Sequence, residues 1–83
     1  MQTTEQIVPD HEIISQHGTA NFGKLTPRQV VDEGVMKAAF GFSHGNTQYH
    51  ILRGHKLITT KGTLTKKGFF YARALYNAGT ALN

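Results

Sequence analysis

The chain has 83 residues, no cysteine and a formal net charge of +4, with 39 % apolar and 17 % charged residues. This length predicts one domain with one modest core, and the lack of thiols excludes disulfides and every cysteine-based zinc site. All five carboxylates precede residue 35, whereas residues 35–83, the acid-free half, carry seven Lys or Arg and no Asp or Glu. The asymmetry predicts a polyanionic partner, although a merely solvated basic face remains the alternative.

The N-terminal region predicts a flexible segment over residues 1–9, followed by one domain over residues 10–79 and a tail over residues 80–83. Pro9 and Asp10 mark a helix start, with a short helix from Asp10 to about His17. The N-terminus has no basic stretch followed by an apolar run, and nowhere do eighteen apolar residues occur in succession. We therefore expect a soluble, cytoplasmic protein that does not bind membranes.

The strongest local signal is the run Thr26-Pro27-Arg28-Gln29, which supplies an N-cap hydroxyl, a proline at the first helical position and a glutamine at the capping-box position. Apolar residues then recur at three- and four-residue spacing, which predicts a helix to about Phe40. The residues Gly41-Phe42-Ser43 predict a turn.

A second helix is predicted from Asn46 to about Arg53, and Gly54 ends it. Asn46, His50 and Arg53 share one face of this helix because they stand at i, i+4 and i+7. The face is polar throughout.

After Gly54 the spacing of the apolar residues is no longer that of a helix. Two short β-branched runs, residues 57–60 and 63–65, flank Lys61-Gly62 and predict a small hairpin with a cationic tip. A last helix is predicted from Lys66 to about Ala78, with Gly79 as its stop.

This order of elements resembles the winged helix-turn-helix family. The likeness rests on residues 38–43 as its small-residue helix and turn, residues 47–53 as its recognition helix, and residues 54–68 as its wing and exit. The resemblance implies a mainly α fold with a small β-hairpin, comprising three to four helices and a two-stranded wing. It also implies a sequence-specific double-stranded DNA-binding protein, a transcriptional regulator or repressor of prokaryotic or phage type.

In that reading, the exposed face of the recognition helix carries hydrogen-bonding side chains for base edges in the major groove, since a helix fits that groove. The candidate base-reading residues are Asn46, Thr47, His50 and Arg53. The candidate phosphate-binding residues are Ser43, His44, Lys56, Lys61, Lys66 and Lys67.

Two motifs suggest chemistry that the rest of the sequence does not support. Residues 18–24 match the first seven positions of a phosphate-binding loop, but Leu25 stands where a Ser or Thr should reach magnesium. Five histidines are scattered, and no carboxylate lies near His50 or His55 to complete a metal or catalytic site. We expect no enzyme activity, no catalytic residue, no metal and no cofactor.

The last helix carries more aromatic residues than a small core can cover: Phe69, Phe70, Tyr71 and Tyr76. The N-terminal helix and the hairpin could cover them, or they could form a homodimer contact. Aromatic residues that remain exposed would also leave a second function open. The chain could be a protein-binding inhibitor or adaptor that docks on an acidic or nucleic-acid-binding host surface.

Overall fold

The computed structural model describes residues 2–82, with side chains described through Gly79. In this part of the chain the structure is built from helices joined by turns. Their bounds are α1, Thr4–Ile7; α2, Asp10–His17; α3, Pro27–Ala39; α4, Asn46–Gly54; and α5, Lys66–Leu82.

The start of α3 confirms the predicted capping box. The backbone N–H of Gln29 donates to Thr26 Oγ1 (3.1 Å), and the N–H of Thr26 donates to Gln29 Oε1 (2.9 Å). A second, unpredicted box starts α1, where Thr3 and Gln6 exchange the same two hydrogen bonds. Each box satisfies N–H groups that a helix terminus otherwise leaves without partners.

The core forms around α3, which packs against α2, α4 and α5. Its fully buried side chains come from every part of the fold, and the largest are Tyr71, Leu52, Leu57, Ile58, Val8, Val30, Val31 and Val35. Two glycines allow close approach: a Cβ at Gly34 would collide with the Leu52 side chain, and one at Gly68 would collide with the carbonyl oxygen of Leu57. The first contact brings α4 against α3, and the second seats the start of α5 on the segment that follows α4.

The segment between α4 and α5 contradicts the predicted wing. Residues 2–82 contain no β-strand, and the two β-branched runs meet only at an isolated antiparallel bridge between Ile58 and Leu64. The backbone groups that would extend this pairing bond the helices instead: the N–H of Leu57 donates to the carbonyl of Leu52 in α4 (3.0 Å), and the carbonyl of Thr65 accepts the N–H of Phe69 in α5 (2.8 Å). Too few residues remain between them for a ladder, so the predicted winged helix-turn-helix fold class, with its two-stranded wing, is wrong.

What replaces the wing is a tight turn at residues 59–63, the basic turn. The N–H of Gly62 donates to the carbonyl of Thr59 (2.9 Å), and the N–H of Thr59 donates to the carbonyl of Thr63 (2.8 Å). Gly62 has a φ of 83°, which suits a glycine at the end of such a turn. Lys61 lies at its tip, as the sequence predicted.

Both chain ends differ from expectation. Where the sequence predicted a flexible segment over residues 1–9, the structure has α1 and buries Val8 completely. Helix α5 passes through Gly79, the predicted stop, and reaches Leu82 in the predicted tail. Met1 and Asn83, the outermost residues of those predicted segments, lie outside the described residues. Within residues 2–82, no helix is long and apolar enough to cross a membrane.

Candidate nucleic-acid interface

Helix α4 has a buried face and an exposed face. Gln48, Ile51 and Leu52 are buried, whereas the four predicted base-reading residues are all exposed: Asn46, Thr47, His50 and Arg53. Because a helix rises 1.5 Å per residue, this exposed face is about 10 Å long, the length of roughly three base pairs. The structure therefore brings the predicted base-reading set together on one accessible surface.

A buried glutamine fixes α4 on α3. Gln48 is only 3 % exposed, and its Nε2 donates to the carbonyl of Val30 (2.9 Å) while its Oε1 accepts from Lys37 Nζ (3.1 Å). Lys37 also forms an ion pair with Glu33 at 3.2 Å. Since a buried amide in an apolar contact is costly unless bonded, these contacts favour one rotational setting of α4 and so determine which of its faces is exposed.

The turn between α3 and α4 is held at both of its ends. At the end of α3, the N–H of Phe42 donates to the carbonyl of Lys37 (2.8 Å) and Gly41 has a φ of 79°, the arrangement of a Schellman motif. At the start of α4, the half-buried His44 donates from Nε2 to the carbonyl of Gly34 (2.8 Å). His44, predicted to bind phosphate, thus uses one ring nitrogen within the fold, and Nδ1 can donate to a phosphate only when the ring carries a second proton.

The basic turn lies beside the N-terminal end of α4. Tyr49 Oη donates to the carbonyl of Thr60 (2.7 Å), which ties the two elements together. Between them lies an open groove of about 580 Å³ with no acidic residue in its lining. Four predicted DNA-contacting residues line this groove: Ser43, His44, Asn46 and Lys61.

The C-terminal end of α4 has its own cations. Arg53 is exposed, and one of its guanidinium nitrogens donates to the carbonyl of Ile58 (3.3 Å), which orients the side chain along the helix end. Lys56 and Lys67 line one pocket there. Lys66 lies in a second, shallow groove beside Gln2 and Phe70, which Lys67 also lines. Two of the three predicted phosphate-binding lysines in this region therefore flank α4, and the third extends the basic surface along α5.

Ion pairs do not neutralise the cations beside α4. The two ion pairs within the described residues are Arg28–Asp10 (2.6 Å), which joins α3 to α2, and Lys37–Glu33 (3.2 Å), which lies within α3. Lys61, at the N-terminal end of α4, has no acidic residue in its groove, whereas Lys56 and Lys67, at the C-terminal end, share a pocket with Glu12 without pairing with it.

Sequence reasoning missed a polar network within the core. Tyr71 Oη donates to Asp32 Oδ1 (2.6 Å) and accepts from Arg28 (3.3 Å), which also bonds Asp10 and the carbonyl of Thr4. Burial raises the pKa of Asp32, while the hydrogen bond from Tyr71 and the charge of Arg28 oppose that rise. Burial and the bond to Asp32 raise the pKa of Tyr71. A tyrosine on the apolar face of α5 was the available signal, because a buried hydroxyl needs a partner.

His55 is the second residue whose position the sequence did not reveal. It is 3 % exposed, and its Nε2 finds no hydrogen-bond partner within the described residues. Burial lowers its pKa, and the nearby charge of Lys67 lowers it further. No three His, Asp or Glu side chains in the described part of the chain come together as a metal site.

The aromatic residues of α5 separate into buried and exposed ones. Tyr71 is completely buried, whereas Phe69 and Phe70 are 58 % and 40 % exposed and pack edge to face with ring centroids 6.2 Å apart. The homodimer contact predicted through this helix stays a prediction. Phe40 and Phe42, in the turn between α3 and α4, are also exposed, at 69 % and 68 %.

Comparisons of this chain with protein-family models, curated proteins and solved structures found no match.

Proposed function

We propose that this protein binds double-stranded DNA through the exposed face of α4. The observation that carries the proposal is the position of four hydrogen-bonding side chains on one rigidly seated helix, with cations and no paired acid at either end. Such a helix fits the B-DNA major groove, which is about 12 Å wide.

Each side chain has a role that its chemistry allows. Asn46 can bond an adenine edge with two hydrogen bonds, and Arg53 can do the same with guanine. Thr47 and His50 lie between them on the exposed face and can contact a base edge or a phosphate. The face can therefore distinguish sequences over about three base pairs.

Phosphate contacts would come from both ends of the helix. Lys61 and Ser43 lie at the N-terminal end, with His44 Nδ1 as a further donor when its ring carries both protons, while Lys56 and Lys67 lie at the C-terminal end. These contacts add affinity and fix the orientation on the duplex without reading sequence. The likeness of residues 38–43 and 47–53 to the turn and recognition helix of helix-turn-helix proteins supports a narrower role, a small cytoplasmic regulator of prokaryotic or phage type that acts by occupying an operator.

The first experiment is a set of binding isotherms with fluorescent duplex DNA at several salt concentrations. If Lys56, Lys61, Lys66 and Lys67 each neutralise one phosphate, log affinity should fall with log salt at a slope of about −3.5 per monomer. No binding at 50 mM salt, or a slope near zero, would refute the proposal.

Two matched variants separate base reading from phosphate binding. On a duplex selected from a random-sequence pool, Arg53→Ala should weaken binding about tenfold or more and leave random DNA nearly unchanged. Lys61→Ala should weaken both duplexes alike and reduce the salt slope by about one. Lys24→Ala removes one exposed charge outside the proposed interface and serves as the control. Equal losses on both duplexes for Arg53→Ala would show that α4 does not read bases.

The exposed turn aromatics favour a second candidate function. Phe42 lines the groove between the basic turn and α4, and the exposed Phe40 precedes it by two residues. Exposed aromatic residues beside unpaired cations suit an acidic protein surface. In that case the chain would be an adaptor or inhibitor. A double variant, Phe40→Ser with Phe42→Ser, distinguishes the two: it should leave DNA affinity intact if the first proposal is right.

A further inference from the structure

We propose that the pocket between α2 and the C-terminal end of α4 binds a small zwitterion, with a free amino acid as the simplest member of that class. The pocket measures about 350 Å³, and its lining includes Gly54, the last residue of α4, and His55, which follows it. Its volume is at the lower end of the roughly 300–1000 Å³ found for small-molecule sites. The proposal concerns the free protein and does not depend on DNA binding.

The lining carries both signs of charge. Lys56 and Lys67 contribute two positive charges, and Glu12 contributes a negative one. None of the three takes part in an ion pair within residues 2–82. A simple anion would be repelled by Glu12, and a simple cation would be repelled by the two lysines. A ligand with both an ammonium and a carboxylate can pair with Glu12 and with the lysines at once.

His55 supplies the observation that points to a ligand. Its Nε2 is buried without a partner among the described residues, and a buried polar atom in that state is costly unless something bonds it. Burial and the charge of Lys67 lower the pKa of His55, which keeps the ring neutral at pH 7. A neutral imidazole offers one N–H donor and one acceptor, so it can bond either polar group of the ligand.

Two backbone features shape the wall of the pocket. A Cβ at Gly54 would collide with the Gln16 carboxamide, which forms part of the opposite wall. Lys56 has a φ of 62°, the single non-glycine residue with positive φ in the described part of the chain. A lysine is uncommon in that conformation, where glycine or asparagine would be easier. The position thus keeps a cationic side chain at a backbone cost, which is typical of functional sites.

The test is an NMR titration of the ¹⁵N-labelled protein, without DNA, with each of the common L-amino acids. We expect at least one of them to shift the backbone amides of Gly54, His55 and Lys67, with a dissociation constant of about 1 mM or tighter. The same amino acid with its amino group acetylated, or with its carboxylate amidated, should bind about tenfold more weakly, since each analogue loses a charge-assisted hydrogen bond.

Variants localise the site. Glu12→Gln and Lys67→Met should each weaken binding about tenfold, while Lys66→Met, which removes the neighbouring exposed charge, should leave it unchanged. Circular dichroism checks that each variant is folded. The proposal is overturned if no amino acid at 10 mM, roughly ten times that expected constant, shifts these amides. It is also overturned if both blocked analogues bind as well as the parent, or if Lys66→Met has the same effect as Lys67→Met. None of these outcomes bears on the DNA isotherms.

Discussion

Removing the hydroxyl of Tyr71 should destabilise the protein in a way that depends on pH. Tyr71 is completely buried, and its Oη donates to Asp32 Oδ1 at 2.6 Å while accepting from Arg28 at 3.3 Å. The substitution Tyr71→Phe keeps the ring in the core, so little packing is lost. Asp32, however, loses the donor that stabilises its charged form in a half-buried setting.

The size of the destabilisation follows from the charge of Asp32, the acceptor of the lost hydrogen bond. At pH 7, losing a hydrogen bond to an ionised carboxylate should cost about 1.5–3 kcal/mol of unfolding free energy. Burial raises the pKa of Asp32 in the folded protein, so its contribution to stability is fully present below the pKa of the unfolded chain, about 3.9, and is lost as the pH rises through the folded pKa. Because Tyr71 opposes that rise, Tyr71→Phe should raise the pKa of Asp32 further and enlarge the loss.

Urea unfolding at pH 7 and near pH 3.5 measures the difference. The destabilisation by Tyr71→Phe should fall to about 0.5–1.5 kcal/mol at the lower pH, where Asp32 is mostly protonated and the lost bond joins neutral groups. Tyr49→Phe is the matched control because Tyr49 donates to a neutral carbonyl, that of Thr60, and its effect should not change with pH. Equal destabilisation by Tyr71→Phe at both pH values would refute the role assigned to Asp32.

Two further stability predictions use pairs within the chain. Gly68→Ala should destabilise by about 1–3 kcal/mol or more, because its Cβ would meet the carbonyl oxygen of Leu57 and that backbone must shift. Gly79→Ala, in the same helix but facing open space, should instead stabilise by roughly 0.5–1 kcal/mol, and thermal unfolding of both variants distinguishes steric from propensity effects. Thr26→Ala should lower the free energy of unfolding by about 1 kcal/mol, because it removes the hydroxyl that bonds the N–H of Gln29. Thr26→Ser keeps a hydroxyl and should retain most of that stability, and chemical denaturation of both variants measures the difference.

Local sequence signals were enough to place most helices. The capping box at Thr26, the Pro9-Asp10 start and the glycine after Phe40 each use contacts between residues no more than five positions apart, and the structure begins or ends a helix at each of them. The exposed face of α4 could be predicted for the same reason. Residue spacing on a helix determines which side chains share a face, whatever the helix packs against.

Most features that the sequence did not reveal depend on contacts between distant segments. The β-branched runs around Lys61 favour strands locally and exchange two backbone hydrogen bonds, but the groups that would extend this pairing bond α4 and α5 instead. Likewise, the partners of Tyr71 lie 39 and 43 residues away, so spacing rules could not find them. Gly79 is a different case, because α5 continues through it although a Cβ there would meet no atom within 4 Å.

Charge asymmetry along a sequence becomes a functional surface only if folding leaves it unneutralised. Here Asp10 and Glu33 pair with Arg28 and Lys37, and Asp32 accepts from a buried tyrosine, so three of the five carboxylates are used between the N-terminal helices and their neighbours. Glu12 lines a pocket at the C-terminal end of α4, where Lys56 and Lys67 outnumber it. An equally basic chain with several acids beside α4 would attract a polyanion less, because exposed opposite charges closer than a Debye length of about 8 Å largely offset each other. The attraction of this surface for a polyanion would therefore depend on where the fold places the acids as much as on the number of lysines. Salt dependence, which measures the cations that remain unneutralised, is for that reason the measurement most directly linked to the structure.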